Sequence, residues 1–259
     1  MKKQLARYGA IFMTALLLAA CGGGERTVSA DASAEIPEEI LGELDEETLQ
    51  ELVEEPKYVA LTFDDGPRRD TTSVLLDGLL ERGVPATFFV IGRQIPGNED
   101  LLKRMKAEGH QIGNHTYDHT RLLTAEPDKV VEEIHKTEVL LTELLGEGDY
   151  WLRPPWGFAS DALKSAVSVP LIYWTLDTMD WSVRNRDLVA HHIIENAKSG
   201  DIVLLHDPYD TSVEAALQTI DVLSEQGYEF VTLEELFSNA GVTPQAGHFY
   251  LRADEEVPW

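Results

Sequence analysis

The sequence predicts an α/β barrel one βα unit short of eight. Short runs of apolar, β-branched or aromatic residues alternate with longer segments of helical period, the pattern of repeated βα units around a parallel sheet. Gly83, Gly109, Gly146, Gly200 and Gly227 each stand just past a helical segment, where a C-terminal cap belongs. Polar clusters fall at or just after the strand ends, the rim on which α/β barrels carry their chemistry. At 259 residues the chain is long enough for one such domain and too short for two with a linker.

In order, the first strand is Tyr58 to Phe63, an apolar run stopped by an Asp-Asp-Gly-Pro turn, and the helix Thr72 to Arg82 follows. Ala86 to Ile91 is the second strand, and Asn98 to Glu108 the helix that Gly109 closes. Gln111 to Asn114 is a short third strand, followed by the long helix Pro127 to Leu145. Tyr150 to Arg153 is read as the fourth strand and Ser160 to Val167 as its helix. Leu171 to Thr175 and Asp187 to Lys198 form the fifth pair, Ile202 to His206 and Thr211 to Gln226 the sixth, and Glu229 to Thr232 and Leu233 to Asn239 the seventh. The tail from Gly241 to Trp259 reads as irregular. The expected organisation is therefore 1–20 leader, 21–56 tether, 57–240 catalytic domain and 241–259 tail.

The N-terminus carries Lys2, Lys3 and Arg7, then an uncharged run from Tyr8 to Ala20, which is an export signal too short for an ordinary membrane span. Leu18-Ala19-Ala20-Cys21 resembles a bacterial lipoprotein cleavage box, in which Cys21 becomes the lipid-modified first residue. The competing reading is an incidental thiol in a discarded leader. Either way Cys21 is the only cysteine, so the mature domain has no disulfide and no cysteine nucleophile. Between Thr27 and Pro56 there is no Lys or Arg, and the acids there repel one another and extend the segment. It reads as a tether, with a short amphipathic helix over Pro37 to Val53 and packing of that helix on the barrel as the alternative. The expected location is the extracytoplasmic face of the cell membrane, held by lipid on Cys21, and the expected state is a monomer.

The formal net charge is −25, with 34 acids against 17 Lys and Arg from Pro56 onward. A surface this acidic argues against nucleic acid as a partner. It says little more, since acidic faces also serve solubility.

Five clusters carry the chemistry: Thr62-Phe63-Asp64-Asp65-Gly66, His115-Thr116-Tyr117-Asp118-His119, Arg153-Pro154-Pro155-Trp156-Gly157, Asp177-Thr178-Met179-Asp180-Trp181 and Leu204-Leu205-His206. His115 and His119, four apart, can turn both rings toward one ion, and Asp65 adds a carboxylate oxygen. Two histidines and one carboxylate leave positions open for water and substrate, as a catalytic rather than a structural site does. Zinc is the first choice, with cobalt or nickel open, because such a set selects poorly on affinity. Taken alone, the histidine pair equally fits a capped loop, and Asp65 a simple Asp-Gly turn. His110, His135, His191, His192 and His248 read as structural or surface residues, and Arg68 and Arg69 as a solvated pair.

With all five clusters in this order, the stretch from Lys57 to Phe237 resembles the polysaccharide deacetylases of carbohydrate esterase family four, the NodB homology domain. The resemblance implies a distorted (β/α)7 barrel that hydrolyses N-acetyl or O-acetyl groups on a polysaccharide. It matches Asp64 to the family's general base, Asp65, His115 and His119 to its metal ligands, and Arg153 to the arginine that holds the base. It further matches Asp180 to the aspartate that tunes the acid, His206 to the general acid, and Trp181 and Leu204 to the walls of an acetyl-methyl pocket. Trp156 departs from the commoner Tyr or Phe, but the role there belongs to the backbone N–H. The substrate expected is an N-acetylglucosamine polymer of the envelope, peptidoglycan first, with O-deacetylation of acetylxylan as the alternative and a glycan-binding lipoprotein as the reading from another class. A serine hydrolase is disfavoured because no Gly-x-Ser-x-Gly elbow is present.

Overall fold

The computed structural model describes residues 56–256 apart from position 159. The leader, Cys21, the tether up to position 55 and the helix expected over Pro37 to Val53 lie outside the described residues.

The elements are β1 (Lys57–Asp64), α1 (Thr72–Arg82), β2 (Thr87–Val90), α2 (Glu99–Ala107), β3 (Gln111–Asn114), α3 (Pro127–Leu145), α4 (Asp161–Ala166), β4 (Leu171–Ile172), β5 (Leu176–Asp177), α5 (Asp180–Val183), α6 (Arg186–Asn196), β6 (Asp201–His206), α7 (Asp210–Glu225), β7 (Tyr228–Phe230), α8 (Leu233–Asn239), β8 (Phe249–Arg252) and β9 (Glu255–Glu256). β1 is the axis of the fold. It pairs in parallel with β6 along one edge, and on the other edge with β2 at its C-terminal half and β7 at its start. β3 extends this sheet beyond β2, and β5 extends it beyond β6.

The ring closes through thin links. Leu152 makes single bridges to Asn114 and Leu171, so the expected fourth strand shrinks to one residue. Pro154 and Pro155 follow at once and have no N–H to continue a ladder. The expected fifth strand splits in two: β4 pairs with β8, and β5 with β6. Between the halves the Thr175 N–H donates to the Ile202 carbonyl at 3.0 Å while its hydroxyl accepts the Ile202 N–H at 2.9 Å, so a side chain supplies one of the two rungs. β7 stands outside the ring, since it reaches only Lys57 to Val59. These departures make the barrel a distorted (β/α)7 one.

The tail corrects the sequence reading. Residues 249–252 form a strand parallel to β4, with Phe249 and Tyr250 buried, so the segment after 240 completes the fold instead of trailing from it.

Strand alternation decides what faces where. On β1, Val59, Leu61 and Phe63 pack outward among Leu75, Leu76 and Leu79 of α1 and Val213 and Ile220 of α7. Ala60 packs inward with Phe89, Ile202 and the α8 residues Leu233, Leu236 and Phe237, which close the bottom of the barrel. The same inward row continues through Thr62 to Asp64 on β1, and from Ile202 through Leu204 to His206 on β6. Polar chemistry thus sits at the C-terminal mouth above an apolar floor. Among the described residues no helix is long and apolar enough to cross a membrane.

Candidate active site

Asp64 is the last residue of β1 and is buried, its carboxylate inside the mouth. Continued alternation would turn the next side chain outward. Asp65 instead has φ 73°, a left-handed conformation that aspartate tolerates better than most residues, and its carboxylate swings back toward the histidines. Two adjacent acids therefore serve one site.

The loop after β3 uses the same device twice. Thr116 (φ 67°) and His119 (φ 59°) are both left-handed, so His115 and His119 converge across a tight loop, not along a helical turn. Glu133 of α3, fully buried, accepts the Asp118 N–H at 2.8 Å and pairs with Lys129 at 2.9 Å, which anchors that loop. His115 Nδ1 donates to the Arg153 carbonyl at 2.6 Å, which leaves Nε2 as a lone-pair donor. His115 Nε2 lies 3.5 Å, and His119 Nε2 3.3 Å, from Asp65 Oδ1.

These three donors lie within 4.8 Å of one another, and Asp65 Oδ1 is buried without a hydrogen-bond partner. Burial pulls both histidines below their ordinary pKa, against the raising charge of Asp64, and so keeps them neutral. Burial likewise raises Asp65, against the charge of His115. An orphaned carboxylate oxygen facing neutral imidazoles is what a divalent cation resolves, so the residues present fit such an ion.

Arg153 holds Asp64. Its guanidinium is fully buried and donates to Asp64 Oδ1 at 2.8 Å, Thr62 Oγ1 at 2.7 Å and the Tyr173 carbonyl at 2.7 Å, over the Phe89 ring at 4.2 Å. Burial lowers its pKa, opposed by Asp64, yet a guanidinium stays charged. Thr62 passes its own proton to the Val203 carbonyl at 2.7 Å, so the arrangement is satisfied throughout.

His206 is held by Asp180. Nδ1–H donates to Asp180 Oδ1 at 2.8 Å, and the His206 backbone N–H to Oδ2 at 2.7 Å. Ser212 of α7 and the Trp181 N–H complete the carboxylate shell at 2.6 and 2.8 Å. Burial opposes the His206 charge, but the hydrogen bond and charge of Asp180 outweigh it, with Asp64 and Asp65 adding, and the imidazole is pushed up to about 9. Asp180 itself is held below the usual carboxylate range, because the bonds from His206 and Ser212 overcome its burial.

Trp156 has φ 57°, stands half exposed with its ring 4.4 Å from that of His119, and its N–H makes no hydrogen bond within the described residues. Of the six left-handed non-glycine residues among the described residues, three, Asp65, His119 and Trp156, line the site, where strain is held by surrounding structure. Trp156, Trp181 and Leu204 line the same cleft of about 490 Å³ as Asp64, Asp65, both histidine ligands and His206. Every expected site residue from Asp64 to His206 therefore comes to one mouth.

Other members of the site have no role that the sequence assigns. Ser212 and Thr62 are ordinary residues until their partners are known. Asp207, fully buried beside His206, receives a short hydrogen bond from Thr72 and leaves Oδ1 unpartnered. Arg121, Phe158, Trp174, Asp177 and Tyr209 also line the cleft. The remaining histidines stay apart: His135, His191 and His192 are exposed, and His110 is buried where its Nδ1 accepts the Ala86 N–H. Arg68 and Arg69 form exposed pairs with Asp70 and Asp100.

The family described as polysaccharide deacetylase matches residues 52–171. A peptidoglycan-N-acetylglucosamine deacetylase, PgdA, of Listeria monocytogenes is 39% identical over 181 residues, which are 70% of this chain and 39% of the relative. The chain thus spans well under half of that relative's length. A peptidoglycan-N-acetylglucosamine deacetylase of Bacillus cereus is 36% identical over 188 residues, covering 70% of this chain and 88% of the relative. A solved family 4 acetyl xylan esterase from Clostridium thermocellum, in complex with a cobalt ion, superposes with a TM-score of 0.73 at 32% identity, over 77% of this chain and all of that one.

Proposed function

This chain belongs to the polysaccharide deacetylase family, and from that premise we propose that it removes acetyl groups from N-acetylglucosamine residues of an envelope polysaccharide, peptidoglycan first. The observation that carries the reading is the pairing, in one cleft, of a three-donor cation site with a restrained carboxylate and a restrained imidazole. Binding alone requires neither.

An amide has a weak electrophile and a poor leaving group, so the site must help attack, oxyanion and departure alike. When bound by Asp65, His115 and His119, a divalent ion, zinc by preference and cobalt or nickel otherwise, supplies Lewis-acid polarisation and acidifies water. Asp64, held in place by Arg153, takes the proton of the attacking water. The free Trp156 N–H meets the negative charge that develops on the acetyl oxygen. His206, kept protonated by Asp180, gives its Nε2 proton to the departing nitrogen, help typically worth about 10² to 10⁴-fold. Trp181 and Leu204 bound the space left for the acetyl methyl.

The lipoprotein-type box at Cys21 supports attachment to the outer face of the cell membrane, which would hold the domain against the wall. Incorporation of labelled lipid into the wild type but not C21A tests that anchor.

A second reading, O-deacetylation of acetylxylan or another acetylated glycan by the same groups, is favoured by the likeness to an acetyl xylan esterase. Acetate release from peptidoglycan, chitin oligomers, poly-N-acetylglucosamine and acetylxylan, at matched metal loading and with a chelator control, separates the two. Full metal occupancy without acetate from any of them would sink both.

A further inference from the structure

The rim of the cleft carries two cations that the hydrolytic centre does not use. Ten arginines lie among the described residues, and eight of them have a carboxylate within 4.0 Å. The two without one are Arg121 and Arg184. In a domain with 34 acids against 17 Lys and Arg, pairing is the easy outcome. Both exceptions rest on aromatic rings of the catalytic cleft.

Arg121 lies with Cζ 4.8 Å from the Phe158 ring centroid and 6.0 Å from that of Trp156, on the side of the histidine ligands. Arg184 lies 3.0 Å over Tyr209, whose ring is 6.1 Å from His206, and donates Nε–H to the Trp181 carbonyl at 2.8 Å. Both arginines are exposed, so a guanidinium steadied by its ring keeps N–H donors for the forked hydrogen bonding that suits a carboxylate. Half-exposed Trp156 and Trp181 offer apolar faces beside them on which sugar rings can lie.

A neutral glycan gives such cations nothing to do, whereas a polyanionic one must overcome the repulsion of an acidic protein. We propose that Arg121 and Arg184 form carboxylate-recognition subsites flanking the catalytic centre, so that the preferred substrate is a glycan bearing carboxylates along its length. This rests on the deacetylase reading above and deepens it.

The test measures equilibrium binding and acetate release separately, using the full chain loaded with zinc. The probes are four oligomers of equal length: N-acetylglucosamine only; alternate sugars with lactyl ether carboxylates; the same sugars with those carboxylates as methyl amides; and the same sugars carrying stem peptides. The free carboxylate oligomer should bind roughly three- to ten-fold more tightly than its amide, a preference that shrinks as salt rises. R121A and R184A should each lose most of that preference through KM, with little change in kcat. A preference present without peptides upholds the subsites and assigns them to the lactyl groups, and one seen only with peptides upholds them and assigns them to the stems. Equal binding of all four oligomers, or a preference that survives R121A/R184A together, overturns the proposal. A binding preference with no acetate released overturns the deacetylase reading and leaves the subsites standing.

Discussion

Asp64 and His206 are register partners across the β1–β6 pair, so the candidate base and acid stand side by side on adjacent strands. Parallel pairing holds their backbones at a fixed separation, and each side chain is then steered by its own partner, Arg153 for one and Asp180 for the other. Arg153 donates to the Asp64 carboxylate, whereas Asp180 accepts from the His206 ring.

The acid sets the alkaline limb. His206 must be protonated to donate, so the rate falls as pH rises through its pKa, pushed up to about 9 by the protein's own groups. A cation held by Asp65 would lower that value, so the limb belongs at or below pH 9. D180N removes the chief raising influence and should move the limb to lower pH, with kcat reduced about 10² to 10³-fold at neutral pH. The kcat/KM profile of both proteins checks this, and an unmoved limb would show that another group titrates there.

Arg153 should matter to folding as much as to chemistry. R153M leaves the buried Asp64 carboxylate without its countercharge, and breaking a buried pair in this way costs about 3 to 5 kcal/mol. R153K keeps the charge but cannot reach Asp64, Thr62 and Tyr173 together, and should recover only part of that loss. Urea unfolding of the three proteins at pH 7 reads the difference, and equal midpoints would mean that Asp64 does not rely on this arginine.

Metal should show itself in stability independently of turnover. A ligand at 100 times its Kd stabilises the folded state by about 2.7 kcal/mol, which for a domain of this size is roughly 5 to 10 °C in Tm. Zinc added to stripped protein should raise Tm by that order, and D65N, which removes the one carboxylate among the three donors, should abolish most of the rise. H206A should keep the full rise while losing turnover. A zinc shift retained by D65N would place the ion elsewhere.

Which features were legible follows from how local their causes are. α1, α3 and α8 run over the residues that the sequence pattern predicts, because helical period, Pro127, and Gly83 and Gly146 act within a few residues of each boundary. The fourth strand was over-read, since apolar content at Tyr150 to Leu152 outweighed the adjacent proline pair. The break at Thr175 and the strand at Phe249 depend on distant partners, Ile202 and β4, which no local pattern announces. The candidate site was legible because its motifs fall at or just after apolar strand-like runs. Its left-handed backbone and the buried Ser212 and Asp207 were not, because burial is a property of the assembled barrel.

Asp207 supplies a pH signature of that burial. Desolvation raises its carboxyl most, Thr72 opposes, and the charges of Asp65 and Asp64 help bring it to about 7. The space is tight, for a Cβ on Gly66 would collide with its carboxylate. A carboxyl whose folded pKa exceeds its unfolded value near 3.9 binds more protons when folded, so its contribution to stability is greatest at low pH and is lost as pH rises toward 7. Asn at this position cannot titrate. In chelator, the stability of D207N relative to wild type should therefore improve by on the order of 2 kcal/mol between pH 5 and pH 8. Urea midpoints of the two proteins at each pH measure this, and parallel profiles would mean that Asp207 stays ionised across the range.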